Sequence, residues 1–185
     1  MRVISGKYKG IVLNGFNIDG TRPTMARVKE SVFGSIQNKL KGSVVLDLFA
    51  GSGQLGIEAL SNGASYSYFV DKSEICVKTI KENLKKINDN NNTVLNMDYK
   101  KALLSLKGKI KFDIIFIDPP YNDFLINDAL NKIYEYDLLS DDGLIICEYE
   151  NENINNENYK IIKKKRYGNK NIIIYNWLFS NLMYT

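Results

Sequence analysis

The most constraining stretch of this chain is Val44-Val45-Leu46-Asp47-Leu48-Phe49, a short apolar run that stops at a glycine-rich turn. It leads at once into a helical pattern over residues 54–62. A strand, a glycine turn and a helix in succession open a β-α-β unit, which has to lie in a parallel sheet covered by helices. The pattern then repeats. Residues 66–71 read as a second strand, and Ser73 stands as an N-cap before Val77, Ile80, Leu84 and Ile87, which mark one face of a helix. Residues 92–98 predict a strand and 99–106 a helix. Residues 112–118 form a near-continuous apolar run, as expected of a strand buried on both faces. A helix at 123–134, a strand at 144–149 and two closing strands at 159–164 and 172–179 complete the series. The expected fold is a doubly wound α/β domain, Rossmann-like, with a mostly parallel seven-stranded sheet.

Residues 42–185 hold this alternation, while residues 1–41 differ in kind and are expected as an appendage. Arg2 to Leu13 fits a β-hairpin turned near Lys9-Gly10, and residues 24–40 fit a helix with Val28, Val32, Ile36 and Leu40 on one side. Residues 1–41 also carry 8 basic and 2 acidic residues, against 17 and 19 in the remaining 144. All the excess of the net charge of +4 therefore sits in the N-terminal fifth, which suits a polyanion partner. A second basic run, Lys163-Lys164-Lys165-Arg166, lies near the C-terminus.

Composition removes several chemistries. The chain has no histidine, so a Ser-His-Asp triad, a Cys-His pair and a histidine metal site are all excluded. Cys76 and Cys147 lie too far apart for a CxxC spacing, and two cysteines in 185 residues suggest a reducing compartment. No metal centre is expected. No apolar run approaches the roughly 20 residues that cross a bilayer, and no signal-peptide stretch opens the chain, so a cytoplasmic protein without membrane contact, or one lacking its targeting segment, is expected.

Gly51-Ser52-Gly53-Gln54-Leu55-Gly56 matches G-x-G-x-x-G between strand and helix, and Asp71 stands twenty residues after Gly51 at the next strand end. Glycines let the backbone approach a ligand, the helix N-terminus offers unpaired N–H groups, and a carboxylate at the second strand end can accept both hydroxyls of a ribose. A nucleoside-containing cofactor fits, either a dinucleotide or S-adenosylmethionine.

Asp118-Pro119-Pro120-Tyr121 closes the fourth strand, at the carboxyl edge where open α/β sheets place their sites. Two prolines fix the backbone and remove two N–H donors, so the Asp118 carboxylate and the Pro119 carbonyl become a rigid pair of acceptors. Tyr121 adds a flat face for stacking a base. Such a site suits the exocyclic amino group of a nucleobase, a poor nucleophile because its lone pair is delocalised into the ring. Accepting both N–H bonds lets that nitrogen pyramidalise toward an electrophilic methyl group, with catalysis by positioning and electrostatics and no histidine required.

The wording around these motifs resembles known families. Asp47-Leu48-Phe49-Ala50-Gly51-Ser52-Gly53 resembles the first motif of class I S-adenosylmethionine-dependent methyltransferases. The resemblance implies that Asp47, Phe49, Ala50, Gly51, Ser52 and Gly53 wrap the cofactor, that Asp71 holds its ribose and that Asp98 lies near its adenine; Asp98 also reads as a helix N-cap. Arg2 to Gly10, Thr21-Arg22-Pro23-Thr24 and Arg27 to Phe33 resemble the bacterial 16S rRNA guanine(966)-N2 methyltransferase family. The likeness continues through Leu55 to Leu60 and Asp118 to Tyr121, and more weakly to Glu148. It implies a monomer that methylates a guanine amino group of small ribosomal subunits. Arg22 and Arg27 would guide the RNA, and Lys7, Lys9 and Lys29 would attract its phosphates. Three rivals are weighed against it: an adenine-N6 or cytosine-N4 methyltransferase using the same tetrapeptide, an NAD-dependent oxidoreductase, and a catalytically silent RNA-binding protein. The first would need a recognition region and the second a substrate domain with a proton donor, and 185 residues leave little room for either.

Overall fold

The computed structural model describes residues 1–15, 22–120, 124–150, 154 and 156–178, with backbone only at 22–25. The elements run α1 (Arg22–Leu40), β1 (Val44–Asp47), α2 (Gln54–Ser61), β2 (Tyr66–Asp71), α3 (Glu74–Ile87), β3 (Asn92–Asn96), α4 (Tyr99–Leu106), β4 (Phe112–Ile117), α5 (Phe124–Glu135), β5 (Leu139–Tyr149), β6 (Tyr159–Tyr167) and β7 (Lys170–Trp177). The strands form one seven-stranded sheet in the order β3-β2-β1-β4-β5-β7-β6. Strands β1 to β5 pair in parallel; β7 is antiparallel to β5, and β6 antiparallel to β7. The expected doubly wound α/β sheet is what the chain folds into. Its order reverses between β1 and β4, and such a switch point opens a crevice at the carboxyl ends of the strands.

Side-chain alternation builds the layers. Val45, Ile114, Phe116, Ile146, Ile172 and Ile174 point to one face, under α1, while Leu46, Ile115, Ile117, Ile145, Cys147 and Tyr175 point to the other, with α4 and α5 residues. Central β4 is apolar on both faces, and Ile114, Ile115, Phe116 and Ile117 are all buried. Ser73 caps α3 as expected, accepting from the Cys76 N–H. Among the described residues no helix is long and apolar enough to cross a membrane.

Three expectations need correction. Residues 1–41 do not stand apart as an appendage: Val28, Val32, Phe33, Ile36 and Leu40 of α1 form the core with the sheet, and the Phe33 and Phe116 rings lie 5.7 Å apart. The hairpin is a single antiparallel bridge, Arg2 to Val12, closed by a wide turn through residues 5–10. A longer ladder does not form because the N–H groups of Ile4, Ser5 and Tyr8 donate instead to Glu58 and Ser61 of α2. Strand β5 begins at Leu139, paired with Phe112, and the register shifts before Leu144 meets Ile114. Residues 121–123, 151–153 and 179, which carry Tyr121, the start of the expected fifth helix and the last residue of the final strand, lie outside the described residues.

Candidate active site

The site lies along the carboxyl edge of β1, β2, β4 and β5. Asp47 ends β1, 2% exposed, and one of its oxygens accepts from the Gly56 N–H at 3.0 Å. That bond spans the loop and ties the first turn of α2 to the strand. Burial pushes the Asp47 carboxyl up to about 7, against the Gly56 hydrogen bond that favours its charged form. Between them Gly51 and Gly53 adopt φ of 53° and 79°, left-handed values that glycine holds without strain. Gly53 occupies the N-cap of α2 without a capping side chain, which leaves the helix N-terminus bare of side-chain caps apart from Asp47 at the Gly56 N–H. Gly56 is required for a different reason. A Cβ there would come within 2.3 Å of the Phe69 ring, so only glycine lets α2 lie this close to β2.

Asp71, at the end of β2, accepts from the Gly51 N–H at 2.9 Å with one oxygen and from the Ser73 N–H at 2.8 Å with the other. A carboxylate has about four acceptor positions, so beyond these two N–H groups and the Cys76 thiol there is room to accept from a ribose hydroxyl. Ala50 joins the loop to Val70 through a 2.9 Å backbone bond, and Ser52 is buried beneath the turn. The Phe49 ring lies tilted against that of Tyr99, with centroids 5.2 Å apart, and the Tyr99 hydroxyl donates to Asp128. Asp98 is the N-cap of α4, accepting from the Lys100 N–H at 2.9 Å. The glycine cradle, the acceptor room left on Asp71 and the helix N-terminus fit an adenosyl cofactor by their donor and acceptor chemistry.

Asp118 and Pro119 follow β4, half-buried, and Pro120 is exposed. Tyr121 lies outside the described residues. Because Ile117 pairs with Cys147, Asp118 stands abreast of Glu148 on β5, and Glu148 is ion-paired with Lys170 of β7. Burial, and then the Glu148 charge, push the Asp118 carboxyl well above the usual carboxylate range; Lys170 opposes the shift and Asp47 adds to it. For Lys170, burial favours the neutral form, but the Glu148 charge and hydrogen bond outweigh it and raise the ammonium.

The basic residues expected to meet RNA divide. Lys9 and Arg27 are exposed, and Lys7 is half-exposed and paired with Asp89 at 3.2 Å. Arg22 opens α1, with only its backbone described. Lys29 is a correction: it is 5% exposed, with its ammonium 3.0 Å from Glu58 and 3.1 Å from the Arg2 carbonyl, turned away from any phosphate. Burial pulls its pKa down, with Glu58 opposing. Its position showed this, because Lys29 lies three, four and seven residues before Val32, Phe33 and Ile36, on the apolar stripe of α1.

Two further groups escaped the sequence reading. Asn83 of α3, fully buried, donates to the Ser52 and Asn14 carbonyls at 2.9 Å each and accepts from the Asn14 N–H at 2.7 Å. It pins the glycine loop to the N-terminal segment. Lys170 had no distinguishing signal, since a lysine at a strand start reads as a solvated end.

The family described as Conserved hypothetical protein 95 matches residues 1–176. The Bacillus subtilis protein YlbH is 43% identical over 154 residues, 82% of this chain and 84% of that one. The ribosomal RNA small subunit methyltransferase D of Haemophilus influenzae is 34% identical over 172 residues, 91% of this chain and 89% of that one. The solved structure of yhhF from Escherichia coli superposes with a TM-score of 0.85 at 30% identity, covering 96% and 97% of the two chains. A sheet switch point lined by this glycine loop and Asp118-Pro119-Pro120, together with these matches along nearly the whole chain, places it in a defined group: it belongs to the Conserved hypothetical protein 95 family, that of the bacterial small-subunit ribosomal RNA methyltransferases D, within the class I S-adenosylmethionine-dependent methyltransferases.

Proposed function

We propose that this chain methylates the exocyclic N2 amino group of a guanine in 16S rRNA, acting as a monomer on small ribosomal subunits in the cytoplasm. The observation that carries the reading is the place of Asp118 and Pro119, directly after β4 and beside the β1 strand that leads into the glycine loop, at the switch point of the sheet. S-adenosylmethionine, when bound in the glycine cradle, supplies an electrophilic sulfonium methyl group. The residues that would hold it are Asp47 and Phe49 to Gly53 along the loop, Asp71 at the ribose and Asp98 toward the adenine. The guanine has to leave any stack to enter, which costs least in a loop, and Tyr121 is the plate on which it would rest. Each N–H of its amino group is accepted, one by the Asp118 carboxylate and one by the Pro119 carbonyl. The lone pair then turns away from the ring, in line for displacement. As the new N–C bond forms and the methyl–sulfur bond breaks, with the sulfur leaving as a neutral thioether, the nitrogen becomes acidic and would give one proton to the ionised Asp118, whose raised pKa makes its carboxylate a stronger base than an ordinary one.

The test is mass spectrometry of nucleosides from small subunits that lack their guanine-N2 marks, incubated with the protein and S-adenosylmethionine. New N2-methylguanosine is the expected product. N6-methyladenosine would keep the mechanism and overturn the substrate. No methylation of subunits, naked rRNA or DNA would refute the reading.

A further inference from the structure

The basic run on β6 has no part in the site described above, yet the fold sets it in an unexpected place. The β6–β7 register shifts between Ile161 and Lys163: Ile161 pairs with Tyr175, but Lys163 pairs with Ile174 and Lys165 with Ile172. One extra residue in a strand reverses which face its later side chains take. Without the bulge Lys163 and Lys165 would share the α5 face with Tyr159 and Tyr175. With it they turn to the α1 face, where Ile172 and Ile174 lie. There the Lys163 ammonium donates to the Ser35 hydroxyl at 2.6 Å, and that of Lys165 stands 3.5 Å from the Ser31 hydroxyl. Lys164, between them, points to the opposite face, over the Tyr149 ring.

The result is a shallow groove between α1 and the edge strand, with Val32, Ile172 and Ile174 as its apolar floor and Ser31, Ser35, Lys163, Lys165 and Tyr167 along its rim. Arg27, Ser31 and Ser35 recur every four residues, so they form one row along α1, with exposed Arg27 at the end nearer the carboxyl edge of the sheet. Among the described residues neither Lys163 nor Lys165 has a carboxylate within ion-pair distance; both rest on neutral hydroxyls, which compete weakly with a phosphate. Lysines two apart on a strand stand about 6.6 Å from each other, close to the step between successive phosphates of an RNA strand. The row is also aligned with the chemistry. Lys165 is level with Ile172, Ile172 with Glu148, and Glu148 stands beside Asp118. Three strand spacings put Lys165 roughly 14 Å from Asp118, a reach of a few nucleotides.

We propose that the groove between α1 and β6, with Lys163, Lys165 and Arg27 as its cations, is a phosphate track that holds the RNA strand flanking the target base. The proposal rests on the reading of the substrate as RNA. The β6 bulge is the device that creates the track, since it aims two lysines of the run at α1.

The test measures direct binding of a 16S rRNA fragment, independent of any methyl transfer, to the unaltered protein, to K163Q/K165Q and to a charge-matched control, K107Q/K109Q. Lys107 and Lys109 are exposed just before β4, at the amino end of the central strand and away from the carboxyl edge that carries the site. S-adenosylmethionine affinity and the thermal midpoint are read in parallel and should not change in either variant. The expected result is roughly tenfold weaker RNA binding by K163Q/K165Q alone, with its log K against log salt slope reduced by about 0.7–0.9 for each phosphate no longer neutralised. Wild-type affinity and slope in K163Q/K165Q, or an equal loss in the control, would overturn the track. Failure of the guanine assignment would show instead in the nucleoside products, leaving the binding comparison readable.

Discussion

The pair Lys29–Glu58 tests how the N-terminal segment is held. Glu58 is fully buried on α2 and accepts from the Ile4 N–H at 3.1 Å, the Ser5 N–H at 2.9 Å and the Lys29 ammonium at 3.0 Å, with the Ser5 hydroxyl at 3.1 Å. Replacing Lys29→Met keeps most of the volume and removes the charge. Breaking a buried pair costs about 3–5 kcal/mol, because the surviving ion is left uncompensated. Here Glu58 keeps its donors from residues 4 and 5, and hydrogen bonds to a charged group contribute about 1.5–3 kcal/mol each, so the loss should fall near 3 kcal/mol. Glu58→Gln should cost at least as much. It takes the full negative charge from beside the Lys29 ammonium, and it sets an amide N–H against the donors of Ile4 and Ser5. The double variant should be less destabilised than the sum of the singles, with a coupling of about 2 kcal/mol. Urea unfolding followed by far-UV circular dichroism at pH 7 gives all three values. Hydrogen exchange at Ile4 and Ser5 shows whether the N-terminal turn loosens first. Single losses below about 1 kcal/mol, or strict additivity, would refute the pair as the anchor and return Lys29 to the solvent-facing lysines.

Asp118→Asn should abolish methyl transfer while stabilising the fold. The folded pKa of Asp118 lies above its unfolded value near 4, so native stability falls as pH rises through the window between the two; at least about 1 kcal/mol should return in the variant at the alkaline end. Unfolding midpoints that stay parallel for the two proteins across that window would contradict this. Lys170→Met removes the cation that holds the Asp118 pKa down, so the acid limb of kcat should move to higher pH with little change in S-adenosylmethionine affinity; an unmoved limb would separate Lys170 from Asp118. Gly56→Ala places a methyl 2.3 Å from the Phe69 ring and should cost about 1–3 kcal/mol by overpacking, partly recovered by Phe69→Leu in thermal melts.

Elements whose signal is local were legible in the sequence. The second strand, at 66–71, and the fourth helix, at 99–106, come out with the expected bounds, and Ser73 caps α3, because alternation, apolar periodicity and a hydroxyl before a helix are all short-range features. The glycine turn and Asp71 were legible for the same reason: their spacing is set by one β-α-β unit. What was not legible depends on partners distant in the chain. Ser140 to Gly143 reads as a polar loop, yet β5 begins before it, because Leu139 finds Phe112. Lys29 counted toward the basic segment because composition treats every lysine as solvated; only Glu58, with a second helix behind it, turns the ammonium inward. The β6 bulge leaves no trace in residue pattern at all. It arises from pairing with β7, and it decides which face carries Lys163 and Lys165.

Where catalysis works chiefly by holding atoms in place, the stiffness of the surroundings becomes part of the chemistry. The N-terminal segment contributes to that stiffness twice. Through Glu58 it is fastened to α2, whose first turn carries the bond from Gly56 to Asp47. Through Asn14 and Asn83 it is fastened to the Ser52 carbonyl, inside the glycine turn itself. Lys7, Lys9 and Arg27, the cations proposed to meet RNA, therefore sit on or beside the segment that braces the cofactor loop. A change that loosens residues 1–14 should be felt at the loop before it is felt in the sheet, where Val28, Phe33 and Ile36 hold α1 independently. Cofactor affinity and RNA affinity should fall together in Asn83→Ala, with the far-UV spectrum unchanged, whereas a tail that served only to attract phosphate would lower RNA affinity alone.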